Sequence, residues 1–214
     1  MDRLLASLAE QTVGLEAVVV DNASEGGAVT AICDRYAFAR ALTLSENRGF
    51  SAAVNAGAAS AEGDVLVVVN DDCVLDPPFV ERLGAALDPT AGVTMAAGVL
   101  RSAADPSLID TAGLVVDRTL LAYDHLSGEP LGSLEGAADP FGPSGAAAAY
   151  DRGEFARHGG FDEGLFAYWE DTDLALRMAR EGGRCHLVVD ALGTHEHSAT
   201  LGAGTAAKNR LTGF

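Results

Sequence analysis

Val65-Leu66-Val67-Val68-Val69-Asn70-Asp71-Asp72 is the stretch on which the fold turns. A strand with one face in water alternates apolar and polar residues, whereas this run is apolar at every position from Val65 to Val69. The pattern predicts a central strand of a parallel sheet, covered on both faces. Two carboxylates follow where the strand emerges, and the carboxyl ends of strands are where open α/β sheets bind ligands. Working upstream, Leu4, Leu5 and Leu8 recur at helical spacing within Asp2–Gln11, and Ala17–Val20 reads as a strand ending in Asp21. A polar turn over residues 22–27, a helix over Ala28–Tyr36, a strand over Ala41–Leu44 and a helix over Phe50–Ala61 lead back to Val65. Downstream, Pro77-Pro78 resets the chain before a helix over Phe79–Leu87 and a strand over Val93–Leu100. Strands alternating with helices give an α/β protein, a mostly parallel sheet flanked by helices.

Between Arg101 and Pro143 the periodicity dissolves into Gly, Pro, Ser and Asp, which predicts loops and a small antiparallel hairpin in the C-terminal half. Regular structure resumes with a strand over Gly145–Tyr150, a helix over Glu154–His158 and a helix over Asp171–Glu181 stopped by Gly182-Gly183. A last strand is predicted over Cys185–Val189, and a Gly- and Ala-rich tail follows His197.

The 214 residues suit a single domain with one core. With 48% hydrophobic and 21% charged residues, the chain is neither a disordered segment nor a disulfide scaffold. A net charge of −17 excludes nucleic acid as a partner, since phosphate backbones require clustered Lys and Arg. The same charge repels any nucleotide diphosphate, so a ligand of that kind calls for a screening metal ion. Cys33, Cys73 and Cys185 form no C-x-x-C pair, which predicts reduced thiols and a cytoplasmic location. No apolar run approaches the roughly 18 residues of a spanning helix. Membrane contact is expected to be peripheral.

Four clusters carry chemistry. Asp71 and Asp72 can hold a hard cation, because Mg²⁺ or Mn²⁺ needs only one or two protein carboxylates and takes its remaining ligands from water and phosphate; they also suit a plain turn. Asp21-Asn22 would place another carboxylate on the same sheet edge. Tyr168-Trp169-Glu170-Asp171-Thr172-Asp173 stands at a helix entrance, where acids complement the helix dipole. The flanking aromatics add a second meaning: an indole beside a carboxylate suits a sugar ring, and burial raises a carboxyl pKa toward that of a general base. Finally, His195 and His197 at i, i+2 on an extended segment face one side, so either could complete the metal site. Without a metal they are a surface pair. Lys208 and Arg210 suit either a phosphate cover or a solvated end.

Together these stretches resemble family-2 glycosyltransferases of the GT-A type. The resemblance rests on VVVDNAS (18–24), ENRGFSAAVNAG (46–57), VVVNDDCVLDP (67–77), GGFDEGLFAYWEDTDLALRMAREG (159–182) and THEHSAT (194–200). It implies a nucleotide-sugar-binding half over residues 1–100 and an acceptor and catalytic half over 101–214. It implies donor contacts from Asp21, Asn22, Asn47, Arg48, Gly49, Asn55 and Asp71, a metal held by Asp72 with His195 or His197, and Mn²⁺ or Mg²⁺ as cofactor. Asp171 is then the general base with Glu170 beside it, and Tyr168 and Trp169 face the acceptor. The ENRGF and HSAT stretches are most similar to rhamnosyl- and galactofuranosyltransferases, implying a dTDP- or UDP-linked donor and a cell-envelope glycan or lipid-linked acceptor, with inversion.

One departure stands out: such enzymes open with an apolar strand ending in a Thr-Tyr-Asn-like turn, whereas Met1 leads directly into the following helix. The neighbouring strand edge would be unpaired, which predicts either a truncated start or a homodimer covering its edges. The same departure supports an alternative, an inactive relative that binds nucleotide diphosphate weakly. A nucleotidyltransferase would need a Gly-rich loop with Arg and Lys, and a dinucleotide-binding oxidoreductase would need more than Gly202-x-Gly204.

Overall fold

The computed structural model describes residues 1–119 and 121–196. Its elements in chain order are α1 (Asp2–Ala9), β1 (Ala17–Asp21), α2 (Ala28–Cys33), β2 (Ala39–Thr43), α3 (Gly49–Ser60), β3 (Val65–Val69), β4 (Cys73–Leu75) and α4 (Phe79–Ala86). They continue with β5 (Val93–Ser102), β6 (Ile109–Thr111), β7 (Leu114–Val116), β8 (Ala122–Asp124), β9 (Ala147–Asp151), α5 (Arg152–Arg157), α6 (Glu170–Arg180) and β10 (Arg184–His195). The α/β class holds, and the hairpin expected within residues 101–143 is β7 with β8.

The sheet differs from expectation at the deciding strand. β3 is not central and parallel: it ends the path β3-β9-β5-β10-β4 and pairs antiparallel with β9, while β1 and β2 form a separate parallel pair. An all-apolar sequence reports that both faces of a strand are covered, and says nothing about its edges. Here Val68 joins the core shared with Ala58, Met95, Tyr150 and Phe155, and Val67 and Val69 pack on the opposite core with Leu4, Phe79 and Leu83. β5 and β9 divide their residues the same way, Met95, Ala97 and Ala148 to one side and Ala96, Ala147 and Ala149 to the other. The sheet therefore lies between α3, α5 and α6 on one face and α1 and α4 on the other.

Two further differences position the site. The last strand runs to His195 rather than ending at Val189, staying parallel to β5 across an irregularity between Leu187 and Leu192. β4, absent from the sequence reading, pairs antiparallel with the end of β10 and sets Cys73 opposite His195. The close packing of α4 depends on Gly98, where a Cβ would lie 2.6 Å from the fully buried Phe79 ring. All three cysteines are free and buried.

Candidate active site

The acidic motif after β3 and the histidine at the end of β10 meet because β4 folds the chain back between them. His195 Nδ1 lies 2.7 Å from Asp110 Oδ2 and its Nε2 lies 3.1 Å from Asp72 Oδ1. Asp110, on β6, offers a carboxylate acceptor, so Nδ1 carries the hydrogen and donates it. Nε2 then turns its lone pair toward Asp72 Oδ1, a buried oxygen with no hydrogen-bond donor. Asn70 Nδ2 approaches Nε2 at 3.4 Å. Two acceptors facing at 3.1 Å attract only with a proton or a cation between them. This donor set fits a divalent cation, which Asp72 and His195 would hold, with Asp110 orienting the ring. Cys73 lies within the same cluster. Burial, then Asp72 and Asp110, push its thiol far above the ordinary range, so it stays protonated and its Sγ donates weakly to Ala146 O at 3.7 Å. His197 lies outside the described residues, as do Lys208 and Arg210. Asp71 is largely exposed, 3.9 Å from the Met1 amino group.

The second half of the site is the start of α6. Asp171 accepts from the main-chain N–H of Gly145 at 2.9 Å and of Thr172 at 2.7 Å. Glu170 is 5% exposed, and its Oε2 has no hydrogen-bond donor. Burial first, and the neighbouring Asp171 charge second, push the Glu170 carboxyl up to about 8. Burial raises Asp171 as well, opposed by its two main-chain donors. Those donors favour the carboxylate, so within the pair Glu170 holds the proton at neutral pH and Asp171 is the ionised member. Asp124 on β8 adds negative charge near Asp171. The remaining first-turn acid, Asp173, is an ordinary staple: it pairs with Arg177 at 2.6 Å, and Arg177 also donates to Gly160 O at 2.7 Å.

The loop before α6 is strained. Phe166, Tyr168 and Trp169 all have positive φ, at 56°, 69° and 74°, a conformation that costs about 1–3 kcal/mol for each non-glycine residue. It is held by α3, whose Phe50 N–H donates to Phe166 O at 2.6 Å. Gly49 makes this approach feasible: its φ is 86° and a Cβ there would stand 2.4 Å from Phe166 O.

On the β1 side, Asp21 is buried and accepts from Ser24 N at 2.8 Å. Asn22 ties β1 to α3, donating to Asn47 Oδ1 and Gly49 O at 3.0 Å each and accepting from Arg48 N at 2.9 Å. One cleft of about 1670 Å³ gathers Asp21, Asn22, Asn47, Gly49, Asp71, Asp72, Tyr168, Trp169, Glu170, Asp171 and His195. Arg48 and Asn55 are not among its lining residues. Arg48 pairs with Glu163 at 2.7 Å, and Asn55 clamps the main chain of Phe161, donating to its O at 2.8 Å and accepting from its N at 2.9 Å. Sequence reasoning missed Asp110 and Asp124, which lie in the stretch without periodicity.

Comparison with known proteins bears on the family and the fold. The model of the glycosyl transferase family 2 matches residues 1–108, half of the chain. An N-acetylglucosaminyl-diphospho-decaprenol L-rhamnosyltransferase of Mycobacterium tuberculosis is 29% identical, over 96% of this chain and 75% of its own length. Among solved structures, GalNAc-T7 with UDP, GalNAc and Mn²⁺ superposes with a TM-score of 0.72 at 17% identity, over 90% of this chain and 40% of that one. The mannosyltransferase PcManGT from Pyrobaculum calidifontis, with GDP-Man and Mn²⁺, gives 0.61 at 22% identity, over 90% of this chain and 51% of that one. The chain thus spans about half the length of these solved structures or less, and at such identities they speak for the fold alone. Family match and fold together place this chain in glycosyl transferase family 2, with a GT-A fold.

Proposed function

We propose that the chain is a metal-dependent, inverting glycosyltransferase that moves a sugar from a dTDP- or UDP-linked donor to a hydroxyl of a cell-envelope glycan or lipid-linked acceptor. The observation that carries this reading is the contact between Asp72 Oδ1 and His195 Nε2 at 3.1 Å, in the same cleft as the buried pair Glu170 and Asp171. Asp72 and His195 would hold Mn²⁺ or Mg²⁺, which when bound supplies Lewis-acid stabilisation to the departing diphosphate. Asp21, Asn22, Asn47, Gly49 and Asp71 would receive the nucleotide and ribose, with Arg48 and Asn55 acting through the Asn22 network and the Phe161 clamp. Tyr168 and Trp169 would present the acceptor. Asp171, kept ionised by its two main-chain donors, takes the proton from the acceptor hydroxyl. That oxygen bonds to the anomeric carbon as the bond from carbon to diphosphate oxygen breaks on the opposite face, which inverts the centre without an enzyme-bound sugar. Glu170, protonated, keeps a second negative charge away from the base.

The acceptor class rests on the mycobacterial relative, whose name states a polyprenyl-diphosphate acceptor. In this reading such an acceptor would be met by peripheral contact at the cytoplasmic face; none of the described helices is long and apolar enough to cross a membrane. Calorimetric titration with UDP and dTDP, with Mn²⁺ and then with chelator, tests the donor site without knowledge of the acceptor. Binding that requires Mn²⁺ and vanishes in Asp72→Asn supports the proposal. Equal binding with and without the ion removes the metal, and no binding in either condition removes the donor site.

A further inference from the structure

The β7–β8 hairpin stands outside the six-stranded sheet, its two strands pairing with each other. It is nevertheless fastened to both halves of the site. On the metal side, β6 carries Asp110 beside His195, and the next two residues bond the far end of β8: Ala112 N donates to His125 O at 3.0 Å and His125 N to Gly113 O at 2.8 Å. On the base side, Leu114 N donates to Gly142 O at 2.7 Å and Phe141 N to Leu114 O at 2.8 Å, just ahead of Gly145, whose N–H holds Asp171. The approach is close enough to need Gly113, where φ is 93° and a Cβ would stand 2.8 Å from Gly142 O. The outer end is braced by Asp117. Its N–H donates to Leu121 O at 3.0 Å, and its carboxylate accepts from Thr119 N at 2.7 Å and from the Tyr123 hydroxyl at 3.3 Å.

A hairpin held at root and tip presents its side chains in fixed directions. Asp124 stands directly opposite Leu114, which is buried, so the two share the inner face with Ala122 while Tyr123 turns the other way. Although it belongs to that inner face, Asp124 is exposed and lines the cleft. It lies near enough to Asp171 for its charge to act on that carboxyl. Glu170, 5% exposed, brings a carboxyl oxygen without a hydrogen-bond partner to the same cleft. Among the described residues no lysine or arginine lines it, so a ligand bearing an acid group at this place would meet like charge. An uncharged ring with hydroxyls suits it, because each hydroxyl can donate to a carboxylate and accept from a protonated carboxyl.

We infer that Asp124 is a specificity-determining residue of the acceptor site, accepting a hydrogen bond from a second hydroxyl of the neutral sugar whose first hydroxyl is deprotonated by Asp171. The inference rests on the transferase reading and adds to it the residue that chooses among acceptors. The acceptor rather than the donor is the sugar read here, because Asp124 stands beside the base, whereas Asp21, Asn22 and Asn47 belong to the β1 and α3 side of the cleft. The hairpin thus forms a wall of the acceptor site facing the start of α6, and its bonds to residues 112–113 and 141–142 keep that wall in register with both the metal side and the base.

The test is a cycle of protein and ligand changes. Wild type and Asp124→Ala are titrated by saturation-transfer NMR with octyl β-N-acetylglucosaminide and its 3-, 4- and 6-deoxy analogues, in the presence of UDP and Mn²⁺. Removing one of these hydroxyls should weaken binding to wild type by about 10–100-fold, the range for a hydrogen bond to a charged group, and binding to Asp124→Ala by less than about threefold. Asp124→Asn, which keeps the size and loses the charge, should fall between the two and carries the test where alanine does not fold. Equal losses in both proteins at every position overturn the inference, as does a wild type that binds no glycoside. A variant that loses UDP affinity without such coupling overturns it too, and assigns the carboxylate to the donor. Failure of the transferase reading looks different: UDP and dTDP would then fail to bind wild type with Mn²⁺, whereas donor binding without hydroxyl coupling removes only the role of Asp124.

Discussion

Replacing Glu170 by glutamine asks which member of the acidic pair holds the proton, and reads the answer in stability rather than turnover. Burial and the Asp171 charge move the Glu170 carboxyl from its ordinary 4.5 to about 8. A group whose pKa is raised in the folded state stabilises the fold while protonated. Its contribution is fully present below about pH 4.5 and is lost as the pH climbs through about 8. Each tenfold change in proton affinity is worth about 1.4 kcal/mol, so the interval corresponds to no more than about 5 kcal/mol; shared with Asp171, the loss is on the order of 3 kcal/mol. For a chain of this size that is a fall in melting temperature of roughly 6–12 °C between pH 5 and pH 9. Carboxylates held below their ordinary values, Glu16, Asp88, Asp105 and Asp117 among them, act in another window, since their stabilisation is lost only as the pH falls below about 4. Glutamine keeps the volume and stays neutral, so Glu170→Gln should cut the alkaline decline by at least half in thermal melts followed by circular dichroism. A variant that reproduces the wild-type decline would refute the assignment of the proton to Glu170.

Three further outcomes follow from the same geometry. Asp171→Asn should lower turnover by about 10²–10⁴-fold while leaving donor affinity within a factor of about three in calorimetry; unchanged turnover removes it as the base. Asp110→Asn keeps the fold but loosens the His195 ring, and should weaken Mn²⁺ binding by about 10–100-fold, less than His195→Ala; an affinity equal to wild type would mean that Asp110 does not position the ligand. Gly49→Ala drives a methyl into Phe166 O and forces a left-handed φ. It should destabilise by about 2–4 kcal/mol, measured by urea unfolding, and a loss below about 0.5 kcal/mol would show that the loop before α6 yields freely.

What could be read from the sequence, and what could not, divides along one physical line. Periodicity reports faces: the valine run of β3, the leucines of α1 and the acids at the start of α6 were all legible because each pattern is set by what covers a residue. Pairing is set by edges, which have no side-chain signature, so the valine run predicts a central parallel strand although the only partner of β3 among the described residues is the antiparallel β9. The site shows the same division. Asp72, Asp171 and His195 stand in short motifs at the ends of strong elements, and their chemistry could be anticipated from residue type. Asp110 stands on a three-residue strand whose sequence, Ile109-Asp110-Thr111, carries no periodicity; only its pairing with β5 brings it to His195.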